Sequence, residues 1–371
     1  MAWITKRQGA RGAAYRVSWR EPEGRVRSRT FTRRRDADAY ATEVEHSKND
    51  GSYRDPKAGR EVLGSYWIRW FAVAGSRLKP STLARYEALW RLYLNPVLGA
   101  YRLASLKRGD VERLRDGMMA SGCGAPTVAQ ALRLAHALMA SAVSDELIAR
   151  NPAAGVKPPA LSSTEQRFLT PQEVARLVDE FSERWQAFVL TAAWGGLRFG
   201  ELAALRVERI DFLRRVVRVE EAFSEVSGRQ VLGSTKTGSR RSVALPRTAV
   251  DALGAHLAAY PPGSDGLVFT NAHGGPVWRH GFTRRVWNPA VTRADLGPLR
   301  FHDLRHTSVA LAIAAGGHAK AIQARAGHST IRTTLDRYGH LLEGLDTELA
   351  ERLETLAATG PTAPRKDARG D

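Results

Sequence analysis

Six polar side chains in the C-terminal half of the sequence are of the types that phosphoryl transfer requires. Two arginine guanidinium groups can bind one phosphate through paired hydrogen bonds and stay charged while doing so. Histidine donors can stabilise the charge that builds on the nonbridging oxygens. A tyrosine hydroxyl can attack phosphorus, and a lysine can protonate the leaving oxygen. The six residues are Arg198, Lys236, His302, Arg305, His328 and Tyr338.

Arg198 lies in the segment Gly195–Leu202, and the apolar residues on both sides predict that this segment is buried. A buried guanidinium needs an anionic partner, which a substrate phosphate can supply. Glu201 stands three residues further on and can supply it instead, in which case Arg198 forms a structural ion pair. The segment alone leaves both interpretations open.

Lys236 and Tyr338 are ordinary residues when each is taken alone. Lys236 stands between two predicted strands, about Gln230–Leu232 and Ser242–Leu245, which places it at the tip of a hairpin turn. Most lysines in such turns are simply exposed to solvent. Tyr338 follows His328 by ten residues and, by itself, is typical of a hydrophobic core.

A metal site is the main alternative for the segment around Arg305. His302 and Arg305 share one face at the start of a predicted helix. A metal would instead pair His302 with His306, at i and i+4, and would need a further ligand. The arginine between the two histidines, with no acidic general base beside them, disfavours that site. His302–Asp303 is also a pair typical of metal phosphohydrolases, but their further His and Asp ligands are not evident. We therefore predict no metal and no other cofactor.

The elements that position these residues follow from hydrophobic spacing and capping signals. Thr170–Glu173 places Thr at the N-cap, Pro at the first helical position and Glu at the third, which predicts a capping box. A third short strand is predicted at Val216–Val219, and the chain after Gly281 has almost entirely helical spacing. Residues 62–150 predict four or five helices with an aromatic stripe as their core.

The first 55 residues form a small basic module. Two strands on either side of a turn at residues 21–24 precede a helix from Asp36 to about Lys48. Residues 1–35 contain 11 basic and 2 acidic side chains. Alternating arginines project from one face of the second strand, beside a run of three more. A solvated strand face would explain them, but we favour contact with DNA. These residues are Arg25, Arg27, Arg29, Arg33, Arg34 and Arg35.

Composition favours a nucleic-acid partner. The chain has 371 residues with a formal net charge of +18, and 43% of its residues are hydrophobic. Such a charge requires a nucleic acid or a membrane surface. No secretory signal is evident, and the longest apolar stretch, 188–197, is too short to span a bilayer. We therefore expect no membrane partner. Cys123 is the single cysteine, which excludes an intramolecular disulfide and fits a reducing cytoplasm.

Taken together, the six residues resemble the signature of the tyrosine recombinases, the phage integrase family. The signature comprises an arginine in a G-L-R-x-G-E-L segment, a hairpin lysine, H-x-x-R, G-H and a downstream tyrosine, in this order. All six positions are filled, and the resemblance covers about residues 5–358. Phe199 occupies the variable position before Gly200.

The resemblance implies roles for the residues that bind phosphate. Arg198 and Arg305 correspond to the arginines that clamp the scissile phosphate. His302 corresponds to a phosphate contact that also helps proton transfer, and His328 to a donor to a nonbridging oxygen. Glu201 corresponds to the acidic residue that supports the first arginine.

The resemblance also implies how the bond is exchanged. Tyr338 corresponds to the nucleophile that forms a 3′-phosphotyrosyl bond, and Lys236 to the general acid that protonates the 5′ oxygen. The bond energy is kept in the protein–DNA link, so neither ATP nor a metal is needed. The 5′ hydroxyl of a partner strand reverses the reaction.

A multidomain α+β architecture is implied by the same resemblance. It comprises a β-hairpin-plus-helix module of the arm-binding type, an all-α core-binding domain of the SAM-like type, a linker, a mainly α catalytic domain with a small antiparallel sheet, and a disordered tail. These span residues 1–55, 60–155, 156–167, 168–358 and 359–371.

The implied function is site-specific recombination that integrates or excises a phage or other mobile element. The implied partners are double-stranded attachment sites, a homotetramer on DNA, and accessory proteins that set directionality or bend DNA. A helix at about 343–358 would dock on a neighbouring subunit. A type IB topoisomerase is one alternative, and relaxation of a plasmid without a specific site would favour it. A catalytically silent DNA-binding regulator is another, which the six intact residues disfavour.

Overall fold

The chain folds into two compact units, Met1–Ser162 and Ser163–Asp371. The computed structural model describes residues 2–9, 12–20, 24, 26–49, 59–160, 167–226, 228–235, 240–339 and several positions between 350 and 357. Helices predominate and the sheets are small and antiparallel, which confirms the predicted α+β class. Within these ranges, no helix is long and apolar enough to cross a membrane.

A three-stranded antiparallel sheet and one helix form the N-terminal module. They are β1 (Ala2–Gly9), β2 (Gly12–Arg20), β3 (Val26–Phe31) and α1 (Arg34–Asn49). The strand order is β1–β2–β3, and α1 packs on one face of the sheet against Val17 and Trp19. The sequence predicted β2 and β3 but not β1. In β1 only Ala2 and Ile4 pack against this core, so its hydrophobic alternation is too short to stand out.

Residues 59–160 contain α-helices packed around aromatic side chains. They are α2 (Leu63–Gly75), α3 (Pro80–Leu89), α4 (Asn95–Leu98), α5 (Arg108–Ala120) and α6 (Ala125–Ser144). A π-helical turn, Trp90–Leu94, joins α3 to α4. The ring of Trp67 stacks on Trp90 and on Phe71, with centroids 4.7 Å apart in both pairs. The aromatic stripe is therefore core, as predicted.

The helices of the second unit surround Phe188, which is fully buried in α8. They are α7 (Pro171–Asp179), α8 (Glu183–Gly195), α9 (Phe199–Ala203), α10 (Arg247–Ala259), α11 (Arg279–Phe282), α12 (Asn288–Arg293), α13 (Asp303–Ala314), α14 (Ala319–Ala326) and α15 (Ile331–Tyr338). The predicted capping box opens α7. The Glu173 amide donates to Thr170 Oγ1 at 3.2 Å, and the Thr170 amide donates to Glu173 Oε2 at 2.9 Å.

The strands of the second unit form a three-stranded antiparallel sheet and a two-stranded sheet. They are β4 (Ile210–Asp211), β5 (Val216–Val219), β6 (Glu221–Val226), β7 (Arg229–Ser234) and β8 (Arg241–Ala244). The three-stranded sheet has the order β4–β5–β8, and the other is β6–β7. β8 pairs with β5, and β7 pairs with β6. Because β6 follows β5 directly in the chain, the two pairings resemble one hairpin that is interrupted at residues 235–240, between β7 and β8. We call this arrangement the interrupted hairpin. The chain reverses next to Gly228, whose φ of +72° suits a tight turn.

The strands on either side of Lys236, β7 and β8, pair with β6 and β5 rather than with each other, so the predicted hairpin between them is wrong. The turn lies between Val226 and Arg229, which pair with each other. Lys236 belongs instead to residues 235–240, which join β7 to β8, and it lies outside the described residues. The prediction was wrong because residues 235–240, between β7 and β8, contain Gly238 and Ser239, and these residue types also mark turns.

The C-terminal predictions fall mostly outside the described residues. Positions 350, 351, 353–355 and 357 are helical, within the predicted helix 343–358. The remaining positions of that helix and the predicted tail, 359–371, lie outside the description.

Candidate active site

Arg198 occupies the N-cap of α9, between two helices that glycines allow to meet. Gly196 ends α8 with a φ of +66°, a conformation that side-chain-bearing residues rarely adopt. At Gly200, a Cβ atom would lie 2.2 Å from the carbonyl oxygen of Phe223 in β6. Both glycines are therefore required to bring Arg198 against the strands. The Arg198 side chain is 20% exposed.

Glu201 is a buried carboxylate held between two arginines. Arg198 donates from Nη1 to Oε1 at 2.7 Å and from its amide to Oε2 at 2.8 Å. Arg241 in β8 donates from Nη1 to Oε1 at 3.0 Å and from Nη2 to Oε2 at 2.6 Å. Burial by itself raises the pKa of Glu201, but the hydrogen bonds and charge of Arg241, then those of Arg198, outweigh it and hold this pKa at about 2.

Arg241 is a site residue that the sequence analysis missed. Its guanidinium also donates from Nε to the Arg325 carbonyl at 3.0 Å, and its side chain is only 6% exposed. A signal was available, because Arg241 lies two and four residues before the buried Val243 and Leu245. Alternate residues of a strand point to one face, so this spacing places Arg241 towards the interior.

Arg305 is almost completely buried in the first turns of α13, at 3% exposure. It donates from Nη1 to the Gly196 carbonyl at 2.7 Å and from Nη2 to the Ala326 carbonyl. Burial and the neighbouring charge of Arg198 lower the pKa of Arg305 to about 9. Arg305 therefore stays cationic at neutral pH, with its fork fixed by backbone carbonyls.

A cleft of about 780 Å³ opens over these arginines. Arg198, His302, Arg305 and His328 all contribute to its lining, so four of the six predicted residues come together. His302 sits at the N-terminal end of α13 with its ring open to the cleft. Enclosure by protein, then the charges of His306, Arg305 and Arg198, lower the pKa of His302 to about 4. His302 is thus neutral at pH 7.

His328 reaches the same cleft from the end of α14. Gly327 ends that helix with a φ of +61°, and its carbonyl oxygen lies 3.5 Å from Arg198 Nη2. The ring of His328 is oriented by its Nδ1, which lies 2.9 Å from Thr334 Oγ1 in α15. This contact fixes the orientation of the imidazole ring at the wall of the cleft.

Tyr338 lies behind the cleft rather than in its lining. Its side chain is 1% exposed and packs with Val309 and Ile313 of α13 and with the ring of Phe168, whose centroid is 5.9 Å away. Its hydroxyl forms a hydrogen bond with Nδ1 of His306. In the sequence, His306 is predicted only as a possible metal ligand, and nothing there indicates its contact with Tyr338.

The metal site considered for His302 and His306 would need a third ligand near them. Among the described residues, no group of three or more His, Cys, Asp or Glu side chains is arranged to hold a metal ion. The residues beside His302 and His306 that line the cleft are Arg300, Phe301 and Arg305, none of which is a usual metal ligand.

Basic residues of the N-terminal module divide between two faces of its sheet. Arg27 pairs with Trp19 and Arg29 with Val17, and directly paired residues share a face. Arg27 and Arg29 therefore lie on the side that α1 covers, and the Arg29 guanidinium stacks over Tyr40 at 4.9 Å. Arg33, Arg34 and Arg35 are exposed at the start of α1, and Arg25 lies outside the described residues.

The uncovered face of this sheet presents a different basic set. It carries Arg7, Arg16 and Arg20 together with Trp3, which is 44% exposed. The sequence pattern could not distinguish the two faces, because which face is covered depends on where α1 packs.

The ionised Glu201 predicts a specific loss of stability in acid. Its pKa is about 2 when folded and 4.5 when unfolded, so its contribution is complete above pH 4.5 and is lost as the pH falls towards 2. This shift corresponds to about 3 kcal/mol at neutral pH. We expect the difference in unfolding free energy between wild type and Glu201→Gln to shrink by about 2 kcal/mol from pH 7 to pH 3. Thermal unfolding of both proteins across this range tests it, and a constant difference would contradict it.

Comparison with known proteins identifies the family. Residues 167–344 match the phage integrase family, and residues 62–119 match the phage integrase N-terminal SAM-like domain. A putative prophage phiRv2 integrase of Mycobacterium tuberculosis is 31% identical over 365 residues, which cover 92% of this chain and 93% of the relative. The integrase of Mycobacterium phage D29 is 29% identical over 372 residues, which cover 96% and 97%.

Solved structures share the fold. A Tn1549 transposon integrase in complex with a circular intermediate DNA superposes with a TM-score of 0.69 at 20% identity, covering 79% of this chain and 99% of the other. A lambda integrase tetramer bound to a Holliday junction gives a TM-score of 0.57 at 18% identity, covering 88% and 95%. From the matched domains and the full-length relatives, this chain belongs to the phage integrase family of tyrosine-type site-specific recombinases.

Proposed function

We propose that this recombinase cuts and rejoins double-stranded DNA at attachment sites through a 3′-phosphotyrosyl intermediate made by Tyr338. The reaction integrates or excises a phage or other mobile element. The observation that carries the residue assignment is the cleft, in which Arg198, Arg305, His302 and His328 surround one space of suitable chemistry. Tyr338 lies immediately behind it, joined to cleft residue His306.

The charges of the cleft suit a phosphodiester. Arg198, Arg241, Arg305 and the ionised Glu201 form a group with a net charge of +2. Of these, Arg198 and Arg305 line the cleft, together with Arg279 and Arg300. A bound phosphodiester brings one negative charge, and a second develops as the nucleophile adds to phosphorus. Fixed guanidinium groups stabilise this charge without rearranging, which is worth most in a site shielded from water. His302, which is neutral at pH 7, and His328 can add hydrogen bonds to the nonbridging oxygens.

The exchange of bonds balances with side chains alone. The Tyr338 oxygen bonds to phosphorus as the bond from phosphorus to the 5′ oxygen breaks. The phenol proton passes from Tyr338 to His302, which is neutral at pH 7, and Lys236 gives a proton to the 5′ oxygen. Since the Tyr338 side chain is 1% exposed, its hydroxyl must leave His306 and move with α15 to reach phosphate. DNA binding supplies that movement in this proposal.

Two structural neighbours support a tetramer on DNA. The lambda integrase was solved as a tetramer on a Holliday junction and the Tn1549 integrase with circular intermediate DNA. We propose a homotetramer on attachment-site DNA in the cytoplasm, assisted by accessory proteins that set direction or bend DNA. The domain assignments 1–55, 60–155, 156–167 and 168–358 belong to the same proposal, with arm-site binding by the first.

An SDS-resistant adduct is the direct test of the function. The full chain is incubated with nicked duplex fragments from both flanks of its own gene, in EDTA and without ATP. We expect a covalent protein–DNA adduct on a fragment that contains the attachment site. Equal relaxation of a plasmid without that site would indicate a topoisomerase instead. Binding without any adduct would contradict the proposed reaction.

The uncovered sheet face predicts which arginines of the N-terminal module bind DNA. We expect the double variant Arg16→Ala, Arg20→Ala to weaken DNA binding. The slope of log K against log salt concentration should become shallower by about one for each phosphate contact removed. Arg27→Ala with Arg29→Ala, on the helix-covered face, serves as the matched pair and should change the slope less. Titrations of the full chain at several salt concentrations measure both, and the reverse order would reject this face.

A further inference from the structure

Arg241 joins three segments of the active site. Its guanidinium binds both carboxylate oxygens of Glu201, which follows Arg198 in α9. Its Nε donates to the Arg325 carbonyl in the last turn of α14. The same side chain fits against Gly327, where a Cβ atom would lie 3.1 Å from Arg241 Cδ. It also begins β8, five residues after Lys236.

How far Glu201 neutralises the charge of Arg198 depends on whether Arg241 also binds the carboxylate. Glu201 is buried and ionised, so its charge must be balanced by nearby cations. With Arg241 present, two guanidinium groups share one carboxylate, and the group of three carries one net positive charge. Without Arg241, Glu201 and Arg198 would form a neutral pair. A neutral pair attracts a phosphodiester far less than a cation does.

We propose that Arg241 is a positioning residue for strand cleavage, which binds Glu201 and thereby leaves the charge of Arg198 available to DNA phosphate. Arg241 does not contact the DNA, because its side chain is 6% exposed and its donors are directed to Glu201 and Arg325. This role rests on the proposed function, since it concerns the same phosphate.

A suppressor experiment tests this role. Single-turnover adduct formation is measured on the nicked attachment-site fragment for Arg241→Gln, Glu201→Gln and the double variant. We expect Arg241→Gln to slow cleavage about 100-fold, as loss of a transition-state donor does. In the double variant no carboxylate neutralises Arg198, so cleavage should be at least about tenfold faster than in Arg241→Gln. A merely structural arginine would not be rescued by loss of its partner.

Further variants separate charge from folding. Arg241→Lys keeps the charge and should stay within about tenfold of wild type, since one ammonium still attracts Glu201. Arg218→Gln, an exposed neighbour in β5, is the matched control and should cleave as wild type does. Thermal unfolding and binding to intact DNA are recorded for every variant, and rates are expressed per folded, DNA-binding protein.

The outcomes distinguish this inference from the function on which it rests. A wild-type adduct with a double variant no faster than Arg241→Gln would overturn the role of Arg241 alone. Arg241→Lys as slow as Arg241→Gln would also overturn it, because charge would not be what matters. Absence of any adduct with wild type would overturn the proposed function itself.

Discussion

Tyr338→Phe is expected to abolish the covalent adduct while leaving DNA binding unchanged. The substitution removes one oxygen, the atom that would form the phosphodiester link, and keeps the ring that packs against Phe168. His306 loses one buried hydrogen-bond partner, which costs about 1 kcal/mol of stability. Adduct formation on nicked DNA, gel-shift titration and thermal unfolding measure the three effects.

Tyr260→Phe is the matched control for Tyr338. Tyr260 ends α10, in the same unit, and the Arg184 guanidinium stacks over its ring at 4.8 Å, a contact that phenylalanine retains. This variant should cleave as wild type does. A persistent adduct in Tyr338→Phe would assign the nucleophile to another residue.

Arg305→Gln is expected to slow cleavage by about 100- to 1,000-fold, comparable with loss of an oxyanion donor. The variant removes a buried cation whose fork is fixed by the Gly196 and Ala326 carbonyls. Arg305→Lys restores the charge but not the fork, so its rate should fall between wild type and Arg305→Gln. Single-turnover adduct formation at saturating protein gives the rates without the contribution of binding.

Arg325→Gln controls for loss of a partly buried arginine. Like Arg305, Arg325 donates to two backbone carbonyls, those of Ala244 and Trp194. Unlike Arg305, it does not line the cleft. We expect it to lower stability while folded protein cleaves at nearly the wild-type rate. If both variants lost cleavage equally, the special role of Arg305 would be rejected.

Local signals in the sequence were sufficient to locate several helices. The capping box at Thr170 depends on residues within the first turn of α7, and the hydrophobic spacing around Trp67 on residues within α2. The segments around Arg198 and Arg305 could likewise be located, and the structure brings these two arginines into one cleft.

Contacts between distant segments could not be predicted in this way. Arg241 binds Glu201 across 40 residues, through strand pairing that is set by the interrupted hairpin. The hydrogen bond between His306 and Tyr338 spans 32 residues and depends on the packing of α15 on α13. The covered face of the N-terminal sheet was ambiguous for the same reason, since alternation fixes two faces but not which one α1 will occupy.

The interrupted hairpin allows the segment between β7 and β8 to vary in length without disturbing the pairing of the strands. Ser234 is paired with Glu221 of β6 and Arg241 with Val219 of β5, so both ends of residues 235–240 are fixed by strand pairing. Closing a longer loop between such fixed ends costs only about 0.6 kcal/mol for each doubling of its length. Insertions into this segment, which contains Lys236, should therefore cost little stability. Among descendants of this chain, loop length is thus a trait on which selection can act without rebuilding the fold.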